Sequence, residues 1–572
     1  ERDHINIDNL SLKDSETFEL LQRGETTGIF QLESRGMRDY LKQLVPNDFE
    51  DIVSMNALYR PGALGMNMVD SYINRKHGRE EVTYGHESVK KILSTTYGVI
   101  VYQEQVMQIA QELSGFSLGQ ADILRRAMGK KKKEEMESLR STFIDGAVKK
   151  DVNERYAANL FDQIEQFAGY GFNRSHSVGY ALIAYQTAWL KTHFPAEFMA
   201  SVLSCDLGNT DNIQLFVDDC RNIGLSIEKP DINRSSYRFE DLDSRTILYG
   251  LGAIKGIGES LVEQIVSQRN IEQFKDMHDF CMRIGSNRIN RRILTTLIGS
   301  GAMDSFGKRE DLFRRIDSYL KNAEQASERN KSNIQDLFGE EIISPAEDIV
   351  NDDIEFDEVS SEWSALGFYL DSHPLESKKK EVRNMCGFFI SELQSEEHTQ
   401  RIAGCLMQFN VRQGKRGRFA FATLDDGSSK IEVSIWADVF EKYRSLLKKG
   451  QVLVVEGMIE KDEYSNFAKH KMIADKILTF DQARHEYVKN IKIDIEKNDI
   501  SSEDVINSLK LIANSKEGNQ VLISYKGESA VADIALPSDF SVRLDDSSIK
   551  ALGKRFGPEN VKFVYHSQYH IN

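Results

Sequence analysis

The chain has 572 residues, of which 40% are hydrophobic and 28% charged, and it carries a formal net charge of −16 at pH 7. This length predicts several domains, roughly three to five, and the composition is typical of a soluble globular protein. No run of about eighteen apolar residues occurs, so the sequence predicts no membrane span and no membrane partner.

Positive charge is concentrated in two segments of this acidic chain. Residues 124–150 hold nine Lys or Arg against four Asp or Glu, and residues 283–315 hold eight against three. Residues 332–377 hold no Lys or Arg at all. Basic segments within an acidic chain indicate local contact with phosphate, so the net charge does not exclude a nucleic-acid partner.

Cysteine usage and the first residues bear on the cellular context. The cysteines are scattered and odd in number, which argues against a disulfide framework and a structural zinc and favours a reducing, cytoplasmic location. The chain begins Glu1-Arg2-Asp3, so a fragment or a processed product is expected. We expect all five cysteines to be buried small apolar side chains: Cys205, Cys220, Cys281, Cys386 and Cys405.

The first two hundred residues are predicted to be mostly helical. Residues 87–115 carry apolar side chains at helical spacing and are expected to stop at Gly115. Residues 177–204 show the same pattern, broken by Pro195. Between them, residues 157–177 are predicted to be a helix that runs into a glycine-rich turn. His176 follows that turn, where a structural histidine and a catalytic one are equally open.

Two glycine-rich helix connections follow. Residues 237–269 predict a strand, a turn and a helix beginning near Glu259, and residues 288–320 predict helix, hairpin and helix. Such turns expose backbone N–H groups at a helix start, which favours a phosphate without reading base sequence. An ordinary helical hairpin is the alternative, but two turns in tandem beside basic residues favour DNA. The candidate DNA contacts are Lys255, Gly256, Gly258, Arg291, Arg292 and Lys308.

The acidic stretch of roughly forty-five residues from Ser332 has low periodicity and is predicted to be a linker. At its start, Leu337 and Phe338 follow polar residues, and such an apolar pair can dock as a short peptide into an apolar pocket. A pentapeptide is weak evidence, so chance occurrence is the default interpretation.

From Arg401 the apolar period becomes two, with Asp426-Gly427 as a hairpin turn. Four or five short strands and one helix predict a small OB-type barrel. Its aromatic residues Phe419, Phe421 and Trp436 are candidates for stacking on single-stranded bases, although barrel core is the commoner role of any single aromatic. From Tyr487 onward, alternating strands and helices predict a separate small α/β domain.

The sequence contains no G-x-x-x-x-G-K-[ST], G-x-S-x-G or H-E-x-x-H motif, and no metal-ligand cluster is predicted in this chain. Four longer segments, residues 25–39, 57–64, 97–131 and 167–200, closely resemble the fingers region of the bacterial replicative DNA polymerase III alpha subunits, the C-family polymerases. The downstream order of a helix-hairpin-helix pair, a clamp-binding peptide, an OB domain and a small C-terminal domain agrees with that family. The resemblance covers essentially the whole chain.

The resemblance implies roles for particular residues. In that family the arginine pair of the "RRAMGKK" motif binds the triphosphate of the incoming nucleotide, which here implies Arg125 and Arg126, with Lys130 nearby. Arginine suits this role because its fork grips phosphate oxygens bidentately. The segment "FNRSHSVGYALIAYQ" would lie beside the nascent base pair, and Arg35 and Arg60 are weaker candidates for the same cleft. The implied site residues of that segment are Asn173, Arg174, His176 and Tyr180.

The family's clamp-binding peptide resembles Gln-x-x-Leu-Phe, and this chain departs from it. Leu337 and Phe338 keep the Leu-Phe anchors, and Gln335 and Asp336 fall at the two variable positions. Ile334 stands where the first Gln is expected. The implied partners are primer–template DNA, deoxynucleoside triphosphates, the sliding clamp (beta), the clamp-loader tau subunit and other polymerase III holoenzyme subunits.

Catalysis in the family needs palm aspartates that hold two Mg²⁺ ions. Those aspartates and the PHP domain are expected upstream of this chain, so we expect Mg²⁺ to bind elsewhere in the full-length protein and this chain alone to be inactive. The alternative function is a non-catalytic DNA-binding scaffold that recruits replication proteins.

The predicted fold class is multidomain α+β, with mostly helical fingers and helix-hairpin-helix regions, an OB-type β-barrel and a small α/β C-terminal domain. The predicted domains are fingers at 1–208, tandem helix-hairpin-helix at 209–320, linker with clamp-binding peptide at 321–395, OB fold at 396–482 and tau-binding domain at 483–572.

Overall fold

The computed structural model describes residues 5–130, 133–167, 171–332, 356–371, 373–394, 399–461, 470–496, 502–513, 518–526 and 531–566. The chain forms two compact units. The first holds the described residues up to 293, together with 301–306 and 319–332. The second holds 294–300, 307–318 and the described residues from 356 onward. No helix in these ranges is long and apolar enough to cross a membrane.

The first unit opens with a helical region that encloses two hydrophobic clusters. Its helices are α1 (Ser15–Arg23), α2 (Arg35–Leu44), α3 (Phe49–Leu58), α4 (Pro61–Gly65), α5 (Met68–Lys76), α6 (Glu87–Leu93), α7 (Gln103–Ser114), α8 (Leu118–Lys130), α9 (Lys133–Val148), α10 (Glu154–Phe167), α11 (Arg174–His193), α12 (Pro195–Cys205) and α13 (Thr210–Asn222). Side chains from α1–α5 and α11 build one cluster. Side chains from α6–α10 build the other.

The helix predicted over residues 87–115 is two helices, α6 and α7. Tyr97 and Gly98 take positive φ angles of 52° and 76° and reverse the chain between them. Buried Gln105 then accepts hydrogen bonds from the backbone N–H groups of Val101 and Tyr102, which starts α7. The predicted stop at Gly115 is confirmed, as is the break at Pro195, which begins α12.

The region after α13 combines a small sheet with further helices. Strands β1 (Ser226–Glu228), β2 (Glu240–Asp243) and β3 (Thr246–Leu248) pair in the order β1-β3-β2. The helices are α14 (Glu259–Ile271), α15 (Met277–Ile284), α16 (Arg291–Gly299), α17 (Arg309–Arg314) and α18 (Ile316–Ser332). The predicted strand, turn and helix are confirmed, and α14 begins at Glu259 as expected.

The predicted linker contains helices where the structure describes it. Residues 356–386 hold α19 (Glu358–Leu366) and α20 (Lys379–Cys386). The buried carboxylate of Glu362 accepts hydrogen bonds from the N–H groups of Leu370 and Asp371, at 3.2 and 2.9 Å. An acidic side chain that satisfies backbone donors stabilises a loop, although in the sequence it counts only as charge.

The next strands close into a five-stranded barrel, which confirms the predicted OB-type domain. They are β4 (Gln400–Gly414), β5 (Gly417–Asp425), β6 (Lys430–Ile435), β7 (Val452–Lys461) and β8 (His470–Thr479), with α21 (Ala437–Tyr443) between β6 and β7. The closed order is β4-β5-β6-β8-β7, with β6 and β8 parallel. The predicted Asp426-Gly427 turn is present, and Gly427 has a φ of +83°.

The last region is the small α/β domain that the sequence predicts. It contains α22 (Phe480–Tyr487), β9 (Val488–Glu496), α23 (Ser502–Ile512), β10 (Gln520–Lys526), β11 (Val531–Ala535), α24 (Asp546–Phe556) and β12 (Val561–Tyr565). The sheet order is β11-β10-β9-β12. Buried Arg484 of α22 donates to Glu381 of α20 and to Asp546 at the start of α24, and so ties this domain to the helix before the barrel.

Four of the five cysteines are buried as expected, and burial raises the pKa of each of these thiols to about 12. The expectation is wrong for Cys205, which is exposed at the last turn of α12. The sequence pattern around Cys205 is apolar, but α12 buries its Ala196, Met199 and Leu203 face, and Cys205 lies on the opposite side.

Candidate functional site

A cavity of about 760 Å³ opens in the helical region of the first unit. Its walls are residues of the segment 28–37, the C-terminal end of α3 with the residues that follow it, and α11. His176 and Tyr180, two of the sequence-predicted nucleotide contacts, line it, and so does the weaker candidate Arg60. The fold therefore brings together residues that are more than a hundred positions apart in the chain.

One wall of the cavity is aromatic. The ring centroids of His176 and Tyr180 lie 4.4 Å apart, and the Tyr180 ring lies 5.4 Å from that of Phe30. The guanidinium carbon of Arg60 lies 4.1 Å from the centre of the Phe172 ring, and burial lowers the pKa of Arg60. Arginine nevertheless stays charged in proteins. An aromatic wall of tilted rings beside a cation suits an anionic ligand that carries a planar ring.

Asn56, which lies in no recognisable sequence motif, supplies a polar group to the same cavity. Both amide atoms of its side chain are buried, and within the described part of the chain neither has a hydrogen-bond partner. A buried amide without partners costs about 1–3 kcal/mol. A ligand that bonds to Asn56 would recover that free energy.

Asn173 and Arg174 form the start of α11 and are bonded to carboxylates. The Asn173 side chain accepts from the His176 N–H at 2.9 Å and donates to Glu104 at 2.7 Å. Glu104 also accepts from the Arg174 N–H at 3.0 Å, and the Arg174 guanidinium donates to Glu50 at 2.6 Å. These contacts fix the helix start that carries His176. Glu50 and Glu104 gave no signal in the sequence, because their partners are 124 and 70 positions away.

Arg125 and Arg126 lie on α8, whose apolar face packs in the second cluster. Both pair with Asp122 on the same helix, Arg125 at 2.8 Å to one carboxylate oxygen and Arg126 at 2.8 Å to the other. A hydrogen bond from Arg125 lowers the pKa of Asp122. Arg126 is the more exposed arginine, with 66% of its side chain accessible. For Lys130, only its place at the end of α8 is described.

The first glycine-rich turn has the geometry expected of a phosphate contact. Gly256 has a φ of +77°, Gly258 is the N-cap of α14, and a Cβ atom at either would meet nothing within 4 Å. Lys255 is exposed beside them. Arg288, which no sequence motif marks, donates from its guanidinium to Ser260 Oγ in the first turn of α14 at 3.2 Å. This contact adds a second positive charge near the turn.

The second glycine-rich connection places its basic residues at helix starts. Arg291 and Arg292 are exposed at the first turn of α16, and exposed Lys308 is the N-cap of α17. Gly307 before it has a φ of +145°.

The three aromatic candidates of the barrel form one cluster. The ring centroids of Phe419 and Phe421 lie 5.6 Å apart, and the Trp436 ring lies 5.4 Å from Phe419. Trp436 is 48% exposed and lines a cavity of about 600 Å³ together with Phe419, Lys415 and Arg416. Phe419 and Phe421 lie on β5, whereas Trp436, which the sequence predicts on a strand, follows β6 as the N-cap of α21. The cluster lies beside the β4–β5 hairpin, close to the face that OB folds use for oligonucleotides.

Two further predictions concern the clamp-binding peptide and metal ligands. The clamp-binding residues Gln335, Asp336, Leu337 and Phe338 lie outside the described residues. In the part of the chain that is described, no group of three or more His, Cys, Asp and Glu side chains could hold a metal ion.

A glycine-rich turn before a helix and an OB barrel with clustered, partly exposed aromatics are typical of a multidomain nucleic-acid-binding protein, and the helical region carries a separate cavity. Family models agree with this class. The bacterial DNA polymerase III alpha subunit finger domain matches residues 1–151, a helix-hairpin-helix motif matches 224–312, and an OB-fold nucleic acid binding domain matches 401–479.

Curated relatives identify the family. The chain is 39% identical over 591 residues to the DNA polymerase III subunit alpha of Pseudomonas aeruginosa, and 40% identical over 587 residues to that of Escherichia coli K12. Each comparison covers 98% of this chain and 50% of the relative. The chain thus belongs to the DNA polymerase III alpha subunit family and spans about half the length of the relatives it matches.

Proposed function

We propose that this chain is the nucleotide- and DNA-binding part of a replicative DNA-directed DNA polymerase, an enzyme that adds deoxynucleotides to a primer 3′ end on a template. The similarity to alpha subunits along 98% of the chain carries this proposal. The cavity beneath His176 and Tyr180 supports it, because a nucleotide-binding polymerase part needs a site of that chemistry.

In this proposal, Arg125 and Arg126 bind the triphosphate, together with Lys130 at the end of their helix. The guanidinium groups of Arg125 and Arg126 share the Asp122 carboxylate. Each guanidinium has five N–H donors, so both retain N–H groups for phosphate oxygens. They offset the negative charge that develops as pyrophosphate leaves. His176 and Tyr180 contact the base or sugar in the cavity, while Asn173 and Arg174 hold the start of α11 beneath them.

The DNA is bound by the glycine-rich turns and by the barrel. Backbone N–H groups at the start of α14 and the side chain of Lys255 face a phosphate, and Arg291, Arg292 and Lys308 extend the basic contacts. The cluster of Phe419, Phe421 and Trp436 stacks on single-stranded bases.

The remaining partners rest on the family resemblance. The segment 335–338 binds the sliding clamp, the C-terminal α/β domain binds the clamp-loader tau subunit, and other holoenzyme subunits assemble with the full-length protein. Mg²⁺ held by palm aspartates outside this chain would activate the primer 3′-hydroxyl. We accordingly propose that this chain alone does not extend a primer, and that it acts in the cytoplasm.

The test is equilibrium binding of a deoxynucleoside triphosphate and of primer–template DNA to this chain. Arg125→Ala with Arg126→Ala is expected to weaken nucleotide binding by at least about tenfold, because bidentate phosphate contacts are lost. Arg155→Ala, at an exposed position of α10, serves as the control and should leave both affinities unchanged.

Three results would contradict the proposal. Unchanged nucleotide affinity in the double variant would remove the arginines from the site. Templated extension of a primer by the chain alone would overturn its assignment as a part without palm chemistry. DNA binding without any nucleotide binding would favour the scaffold function.

A further inference from the structure

A fully buried lysine restrains the chain just before the cavity wall of residues 28–37. Lys191 lies near the C-terminal end of α11, and none of its side chain is accessible to solvent. Its ammonium donates to the backbone carbonyl of Thr27 at 2.8 Å and to Asp219 of α13 at 2.6 Å. We propose that Lys191 is a positioning residue for the nucleotide cavity, an inference that rests on the proposed function.

The buried Lys191 ammonium needs both of its acceptors, the Thr27 carbonyl and the Asp219 carboxylate. Taking a charged group out of water costs several kcal/mol unless it is paired and hydrogen-bonded, so Lys191 tolerates little movement of either partner. One of the two partners is a main-chain oxygen. The contact therefore restrains the path of the backbone at Thr27 and not merely a side chain.

Arg38 of α2 reinforces the same point. Its guanidinium donates to the Thr27 hydroxyl at 3.2 Å. Burial lowers the pKa of Arg38, and attraction to Asp219 opposes that effect. Thr27 is thus held by one cation on its carbonyl and by another on its hydroxyl, with Asp219 acting on both.

The residues after Thr27 carry this restraint into the cavity. A Cβ atom at Gly28 would lie 3.3 Å from the Val202 side chain of α12, so the chain is closely packed there. Phe30 follows with its ring against Tyr180, and its N–H lies 3.4 Å from the Thr187 hydroxyl of α11. Gln31 takes a φ of 65°, a strained conformation for a side chain with Cβ.

One helix therefore positions two parts of the cavity lining. α11 presents His176 and Tyr180 in its N-terminal half and, through Lys191 at its other end, restrains the segment that carries Phe30. The placement of Phe30 against Tyr180, and with it the shape of the aromatic wall, depends on the buried contacts at Thr27 and on the contact of Thr187.

The experiment compares Lys191→Met with Lys76→Met. Lys76 also makes a short buried ion pair, at 2.5 Å to Asp51, but its other partners Val45 and Asn47 lie outside the cavity wall. Both variants lose stability. Only Lys191→Met is expected to speed amide hydrogen exchange in residues 26–32 at temperatures where the chain remains folded, and only it should raise the Kd for a deoxynucleoside triphosphate, by about tenfold.

The outcomes separate the two proposals. Faster exchange in 26–32 without nucleotide binding by the unaltered chain supports Lys191 as the restraint and rejects the proposed function. Equal exchange in the two variants, or an unchanged Kd where the unaltered chain binds, overturns the positioning role. If Lys191→Met does not fold, Lys191→Arg gives the same readouts, since a planar head cannot reproduce both point contacts of the ammonium. Exchange and Kd that match the unaltered chain would then reject the proposal.

Discussion

The Asn56 side chain is predicted to lower the stability of the protein and to strengthen nucleotide binding in the cavity. Its amide is buried, and no partner for it is found within the described residues. Replacing a buried, unsatisfied polar group with an apolar one of similar shape is neutral or stabilising. We predict that Asn56→Leu raises the free energy of unfolding by up to about 1 kcal/mol and weakens nucleotide binding about tenfold.

Thermal unfolding and nucleotide titration of the same samples measure both effects. Ser114→Ala is the matched control, because Ser114 Oγ is also buried without a partner among the described residues but lies outside the cavity. It should change stability without changing the nucleotide Kd. A destabilised Asn56→Leu variant with full nucleotide affinity would contradict the prediction.

At the residue scale, the sequence predicted the cavity residues that belong to a recognisable motif. It did not predict those whose role depends on contacts with residues distant in the chain. His176 and Tyr180 fall in one segment whose resemblance could be seen, and both line the cavity. Asn56 and Lys191 lie in ordinary helical patterns. Their environment depends on packing between helices far apart in the chain, which no local pattern encodes.

The glycine-rich turn before α14 carries a prediction at the scale of one element. Gly256 has a φ of +77°, and its Cβ position is open, so Gly256→Ala should cost about 1–2 kcal/mol through backbone strain alone. Gly258 is the N-cap in an extended conformation, and Gly258→Ser should stabilise α14 by a few tenths of a kcal/mol. Both variants should weaken DNA binding, because each alters the turn that we propose as a phosphate contact. In Gly258→Ser, the serine hydroxyl also occupies backbone N–H groups at the start of α14.

Calorimetry and DNA titration separate stability from binding in these variants. Gly208→Ala is the control, since its Cβ position is open and no unusual φ is required. Tighter or equal DNA binding by Gly258→Ser would argue against a phosphate at this helix start.

The ion pairs of Arg484 with Glu381 and Asp546 predict that the stability of the C-terminal domain depends on pH. Burial alone would raise the pKa of Asp546, but hydrogen bonds from Lys378 and Arg484 hold it below its ordinary value of 3.8. A carboxylate whose pKa is lowered by folding stabilises the protein fully above its unfolded pKa, and the effect disappears as pH falls through the folded pKa. More than half of the Asp546 side chain is exposed, so solvent screens these ion pairs, and Asp546→Asn should lower stability by only about 0.5–1 kcal/mol at pH 7.

The difference between Asp546→Asn and the unaltered chain should shrink progressively below about pH 4. Thermal midpoints at pH 7, 5 and 3.5 provide the measurement, with Asp539→Asn, exposed in the same domain, as the control. A difference that grows on acidification would contradict the assigned direction of the pKa shift.

Element types were largely predictable because apolar periodicity and turn residues are local. The barrel strands, the C-terminal α/β pattern and the start of α14 all follow from such signals. The break between α6 and α7 did not, because a buried Gln105 replaces backbone partners there. The helix at 358–366 could not be predicted, because its segment is acidic and shows low periodicity. In the structure its buried Glu362 accepts a hydrogen bond from the backbone N–H of Asp371.

For the whole molecule, the separation of charge predicts the salt dependence of DNA binding. A net charge of −16 repels DNA, so affinity rests on the basic segments. The logarithm of the binding constant should fall linearly with the logarithm of salt concentration. Replacing Arg291 and Arg292 together with Ala should reduce that slope by about 2, whereas Arg155→Ala should leave it unchanged.

Fluorescence anisotropy at a series of salt concentrations gives this slope. A flat dependence in the unaltered chain would reject the basic segments as phosphate contacts. The overall organisation of the chain was predictable because the resemblance lay in the order of its parts, which survives changes in most individual residues.

The first strand of the barrel also constrains the order in which this region folds. Cys405 of β4 pairs with Asp425 of β5 and with Val452 of β7, so one strand takes part in a nearby and a distant pairing. Closing the shorter loop loses less chain entropy, and the β4–β5 hairpin is expected to form first. Until β7 has been synthesised, the edge of β4 that will pair with it has no partner strand. A pause in translation during this interval would therefore expose the chain to aggregation.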